Sequence, residues 1–122
     1  MTDGIYTVDE IRDIITPIAR RHRVTRVYLF GSYARGEATE ESDIDLRVDA
    51  ERLHTLFALG GLYADLEAAL GKSLDLITTD ALRKNLNDPL TRRLVRNMKQ
   101  EELLLYENVD KGAYDAGAVP KP

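Results

Sequence analysis

The chain has 122 residues, of which 43% are apolar and 31% charged, with a formal net charge of −4 and no cysteine. A chain of this length fits one domain that buries about two thirds of its unfolded surface, so neither a disulfide nor a structural metal is needed to explain folding. The missing cysteine excludes disulfide frameworks, thiol nucleophiles and Cys-type zinc sites. The acidic balance argues against general nucleic-acid affinity, so no direct nucleic-acid binding is expected.

The N-terminus carries Asp3, Asp9, Glu10 and Asp13 and does not read as a signal peptide. The longest apolar stretch, residues 56–64, is far short of a membrane span and contains Gly60 and Gly61. A soluble, cytoplasmic protein with no membrane contact is the expectation. Positive charge is uneven: Arg20, Arg21, Arg23 and Arg26 cluster early, and Arg92, Arg93, Arg96 and Lys99 cluster late. Each cluster reads first as a solvated face and second as a partner contact.

In chain order, Thr7-Val8-Asp9-Glu10 has the T-x-x-E pattern of a capping box. Ile11, Ile14, Ile15, Ile18 and Ala19 follow as one helical stripe, with Pro17 expected to kink the helix rather than end it. Residues 24–30 are rich in β-branched and aromatic side chains and read as a strand stopped by Gly31. Residues 43–48 alternate acidic and apolar side chains and read as a second strand. Residues 51–70 read as a long helix, with Leu59, Leu62, Tyr63, Leu66 and Leu70 inward and Gly71 as its stop. "SLDLIT" at 73–78 is a third strand.

Asp80 is placed to cap a short helix through Leu86, and Asp88-Pro89 is an N-cap and N1 pair opening another helix to about Lys99. "ELLLYE" at 102–107 fits a last, peripheral strand. The domain is therefore assigned to residues 1–107, and the small and polar residues of 108–122 are expected to form a flexible tail or a segment ordered by a partner. Strands alternating with helices give an α/β or α+β domain, a small sheet with helices packed on it.

Asp43 and Asp45 are two apart on a predicted strand, so their side chains share one face. Adjacent carboxylates repel unless a cation lies between them, and hard oxygen ligands of this kind suit Mg²⁺. Asp75, between Leu74 and Leu76, occupies the phase opposite to its apolar neighbours. If its strand pairs beside the second, three carboxylates converge, enough for two metal ions at an in-line displacement on phosphorus. Gly31 lets the backbone approach a ligand, and a helical turn through Tyr33-Ala34-Arg35 would aim N–H groups and the Ser32 hydroxyl at a phosphate. Arg35 is placed to neutralise that phosphate. Taken singly, a Gly-Ser turn, an Asp-x-Asp or a strand aspartate is commonplace. Gly-Ser followed after ten residues by Asp-x-Asp should arise by chance in roughly one chain in a thousand.

"GSYARG" with "SDIDL" resembles the G-S-x10-D-x-D signature of the DNA polymerase β nucleotidyltransferase superfamily, and looks most like its smallest members, the minimal nucleotidyltransferases (MNT). The resemblance runs from the first helix through "GKSLDLIT" to "LLLYE". It implies a small mixed sheet of three to four strands against helices. It also implies that Asp43 and Asp45 are the metal pair, and that Asp75 is a third ligand that helps deprotonate the acceptor. Gly31 and Ser32 match the triphosphate turn, and Arg35 matches the arginine usual in the minimal group. Tyr33 stands where that group often has a basic or polar residue.

The resemblance further implies two Mg²⁺ ions and ATP as substrate, and an antitoxin that transfers AMP to a tyrosine of a HEPN-domain toxin. Two other readings stay open: a transferase acting on an aminoglycoside or sugar, and an antitoxin that masks its partner without chemistry. His22 and His54 are given no role beyond packing or exposure, and Tyr114 is open to contact with a partner or to accepting AMP itself.

Overall fold

A computed structural model describes residues 4–108 of the chain. The proposed tail falls outside the described residues from position 109 onward. The elements run α1 (Val8–Arg21), β1 (Arg26–Phe30), α2 (Ser32–Arg35), β2 (Ile44–Asp49), α3 (Leu56–Leu70), β3 (Leu74–Thr78), α4 (Thr79–Lys84), α5 (Pro89–Glu101) and β4 (Leu103–Glu107). The four strands form one mixed sheet in the order β3-β2-β1-β4. β1 is antiparallel to both β2 and β4, and β2 is parallel to β3. The expected last strand is present at the sheet edge.

The α1 capping box forms in full: the Thr7 hydroxyl accepts the Glu10 N–H at 3.0 Å while the Glu10 carboxylate accepts the Thr7 N–H at 2.8 Å. Thr7→Ala should therefore cost about 1 kcal/mol, read from a urea titration. The helix runs on through Pro17 to Arg21, burying Ile11, Ile15, Ile18 and Ala19. These side chains join Val27, Leu29, Ile44, Leu46, Val48, Leu105 and Leu62, Leu66 and Leu70 of α3 in one apolar cluster on one face of the sheet. Among the described residues no helix is long and apolar enough to cross a membrane.

Three local expectations are corrected. α3 begins at Leu56, not at residue 51, because the Thr55 hydroxyl accepts the Ala58 N–H and caps it there. α3 buries Leu62, Leu66 and Leu70, whereas Leu59 is only partly buried and outside the core cluster, and Tyr63 lies outward. Its hydroxyl donates to the Leu74 carbonyl at the end of the sheet. At α4 the cap is Thr78, whose hydroxyl accepts the Ala81 N–H; Asp80 lies within the first turn. Asp88 and Pro89 do open α5, and Gly71 closes α3 in the left-handed conformation with φ 66°.

His22 is not isolated: its Nε2 is 2.7 Å from Asp65 Oδ2, and Arg21 reaches the same oxygen at 3.1 Å. The His22 hydrogen bond, then that of Arg21, holds the Asp65 carboxyl below its ordinary range. This cluster ties the end of α1 to α3.

Candidate active site

Strand directions bring the chemistry to one end of the sheet. β1 ends at Phe30, opposite Asp45 near the start of antiparallel β2. β3 runs parallel to β2, so its own start lies at that same end, with Asp75 in register beside Asp45. Parallel neighbours in register are about 4.8 Å apart along the sheet and point to one face. The convergence expected of Asp45 and Asp75 is therefore present. Asp43 lies one residue before β2, which begins at Ile44 rather than at 43, and it is exposed.

Asp75 and Asp43 both act on Asp45. Asp45 is pushed up to about 6, first by burial, then by the charges of Asp75 and Asp43 and by a hydrogen bond with Asp75. Arg35 pulls the other way. A carboxyl in this position holds a proton where an ordinary aspartate has lost it. Among the described residues no three His, Cys, Asp or Glu side chains are already gathered as a metal-binding set. The donor chemistry nonetheless fits a hard cation: a half-buried Asp45 carboxyl beside the exposed Asp75 and Asp43, whose repulsion is relieved by a proton, would be relieved as well by Mg²⁺.

Gly31 forms the other wall. Its φ of 76° and ψ of −157° belong to glycine, and a Cβ placed there would lie 2.1 Å from Asp45 Oδ2. Asp45 and the turn are thus packed together where a side chain would otherwise stand. α2 follows as a single helical turn, with Gly36 as its left-handed C-cap. Its Tyr33 ring is buried in the core, which accounts for an aromatic residue at this position. Among the described residues the Ser32 hydroxyl makes no hydrogen bond. The ten-residue span to Asp43 is folded on itself: the Ser42 hydroxyl accepts the Thr39 N–H at 2.8 Å, and Lys72 donates to the Glu40 carbonyl at 2.9 Å.

Arg35 is not free. It donates to Glu37 at 2.9 Å and to both oxygens of Glu101 at 3.1 and 3.3 Å. No local sequence pattern marks Glu101. Tyr63 is a second unforeseen neighbour. Its hydroxyl is raised mainly by its hydrogen bond to Glu67 and by burial, with smaller contributions from the charges of Glu67, Asp75 and Asp43. A cleft of about 800 Å³ lies elsewhere, between α3 and α4, lined by Asp49, His54, Thr79 and Arg83 among others, and holds none of the three acids. Its size does not make it the site, because the glycine turn and the coupled carboxyls are at the other end of the strands.

A mixed sheet whose glycine turn abuts paired strand acids is the architecture of a nucleotidyl-transfer domain. The family model described as "Polymerase beta, Nucleotidyltransferase" matches residues 13–110, and the chain belongs to that family. Protein adenylyltransferase MntA of Thermococcus cleftensis is 37% identical over 96 residues, spanning 75% of this chain and 97% of that protein. A chain of a toxin-antitoxin crystal structure with AMP-PNP superposes with a TM-score of 0.61 at 26% identity, covering 81% of this chain and 75% of that one. A chain from the complex of a tri-AMPylated Shewanella oneidensis HEPN toxin with its MNT antitoxin gives a TM-score of 0.58 at 21% identity. That pair covers 84% of this chain and 74% of the other, a likeness of fold alone. The chain is a nucleotidyltransferase.

Proposed function

We propose that this nucleotidyltransferase is an antitoxin that transfers AMP from ATP to a tyrosine hydroxyl of a HEPN-domain toxin. The observation that carries the reading is Asp45 paired in register with Asp75 and packed against Gly31, in a chain 37% identical to a protein adenylyltransferase. The toxin-antitoxin structures that share its fold support the choice of partner.

In this reading the Gly31 turn, the Ser32 hydroxyl and Arg35 bind the triphosphate of ATP and orient its α-phosphorus toward the acids. The tyrosine oxygen attacks that phosphorus, its proton passes to Asp75, and the bond to the bridging oxygen breaks, so pyrophosphate leaves with the electron pair. Asp43, Asp45 and Asp75 would hold two Mg²⁺ ions, which supply neutralisation of the charge that develops on the phosphoryl oxygens. Asp45 must give up its proton to serve as a ligand. The exposed Arg93, Arg96 and Lys99 on α5, beside the exposed Leu90 and Leu94, form a candidate contact for the toxin.

The test is to incubate the protein with ATP, Mg²⁺ and the product of the neighbouring gene and to weigh both proteins. A gain of one or more AMP units on a partner tyrosine, absent with Asp43→Ala, is the expected result. Inhibition of the partner that survives Asp43→Ala unchanged would show masking instead. Modification of amino sugars with no protein product would show a small-molecule transferase.

A further inference from the structure

Glu101, the last residue of α5, reaches across to the turn after β1. Its Oε1 accepts the Gly31 N–H at 3.0 Å and an Arg35 N–H at 3.3 Å, while Oε2 accepts from the same Arg35 nitrogen at 3.1 Å. An internal carboxylate therefore already occupies two of the donors assigned to the triphosphate. A carboxylate and a phosphate oxygen compete for such donors, since both are anionic acceptors of charge-assisted hydrogen bonds. A phosphate arriving beside a carboxylate left in place would also meet like-charge repulsion.

The surroundings let Glu101 leave without dismantling the turn or the helix end. Arg35 has a second anchor in Glu37 at 2.9 Å, so its guanidinium stays placed. The next residue, Glu102, faces elsewhere: its carboxylate accepts from Arg47 on β2 at 2.8 Å, and Arg47 in turn lies 4.1 Å over the Tyr28 ring. That independent clip holds the α5–β4 junction to the sheet. The Glu101 side chain is 24% exposed, so water reaches the carboxylate that has to be released.

We infer that Glu101 sets the affinity for nucleotide: its carboxylate fills the phosphate cradle of the free protein, and ATP enters by displacing it from the Gly31 N–H and Arg35. The inference rests on the assignment of Gly31, Ser32 and Arg35 to the triphosphate. Glu101 touches no reacting atom in this scheme and is a positioning residue.

The test is calorimetric titration of the full chain, as wild type, Glu101→Gln and Arg35→Ala, with ATP, inorganic tripolyphosphate and AMP. Glu101→Gln keeps an amide oxygen for the Gly31 N–H and removes the charge. It should bind ATP and tripolyphosphate about tenfold more tightly, as loss of one charged competitor implies, with little change for AMP. KM for ATP should fall while kcat does not rise. Equal or weaker ATP binding by Glu101→Gln, with Arg35→Ala still impaired, overturns the inference and leaves the phosphate assignment standing. An equal gain for AMP overturns it too, because displacement by the triphosphate predicts selectivity. ATP binding that ignores Arg35→Ala overturns the assignment and the inference together. If Glu101→Gln does not fold, Glu101→Ala repeats the measurement. Failure of both to fold makes the carboxylate a structural brace and ends the inference.

Discussion

Asp45→Asn should give a protein that is more stable than the wild type without ligand and far slower in transfer. In the wild type, ionised Asp45 is disfavoured by burial and by Asp75 and Asp43, which is why its pKa is pushed up to about 6. An asparagine has nearly the same shape, carries no charge and can donate a hydrogen bond to Asp75. Two pKa units correspond to about 3 kcal/mol. Asp45 is only half-buried, so water screening reduces the expected gain to roughly 1 kcal/mol.

The pH dependence carries a sign. The folded pKa of about 6 lies above the ordinary 3.8, so the folded chain binds more protons than the unfolded chain between those values. Stability of the metal-free wild type should fall as pH rises through that window and level off above it. The advantage of Asp45→Asn should open over the same window, as read from urea titrations at pH 4, 5, 7 and 8. Addition of Mg²⁺ with ATP should reverse the ranking, because the variant lacks one of the proposed metal ligands and gains less stability from binding. Turnover in the variant should drop by at least about 10³-fold, the size expected when stabilisation of developing charge is lost. A variant less stable than the wild type at pH 7 would mean that the repulsion among these acids is not what raises Asp45.

Local signals were legible where one or two residues settle the matter by themselves. Thr7 with Glu10, Asp88 with Pro89, and Gly71 each satisfy or terminate helix groups within a few residues, and each does so as read. The α3 boundary was not legible, because residues 51–54 contain no breaker and only the Thr55 hydroxyl contact decides where the helix starts. Thr78 displaced Asp80 as a cap for a similar reason: where β3 stops fixes which side chain meets the first free N–H groups. Asp43 and Asp45 could be paired from spacing, whereas Asp75 could be joined to them only by supposing that β3 lies parallel beside β2. The resemblance adds only the role of Asp75 as a third ligand. Glu101 was invisible because it is 70 residues from Gly31 and 66 from Arg35, and no periodicity links positions so far apart. Tyr63 was misplaced because the apolar stripe of α3 says which residues are oily, while the end of the sheet determines which of them reach solvent.

Gly31→Ala should be the most damaging single-methyl change near the site, with a loss of about 3 kcal/mol or more and a collapse of transfer. Two costs coincide at this position. The backbone, at φ 76° and ψ −157°, lies in a region essentially reserved for glycine. The new Cβ would also lie 2.1 Å from Asp45 Oδ2, far inside contact distance. Gly36→Ala separates the two costs. Gly36 has a similar φ of 75°, but a Cβ there meets nothing within 4 Å, so only left-handed strain of about 1 kcal/mol is expected. The excess loss at Gly31 measures how tightly the turn is packed on the acid. Asp45→Ala removes the colliding carboxyl, leaving the Asp45 Cβ at 3.3 Å, so Gly31→Ala should cost less in that background. A coupling of at least 1 kcal/mol in the double-mutant cycle is expected for side chains in such contact. Additive losses would mean that backbone strain alone makes Gly31 necessary, and that the turn and the acid reach their places independently.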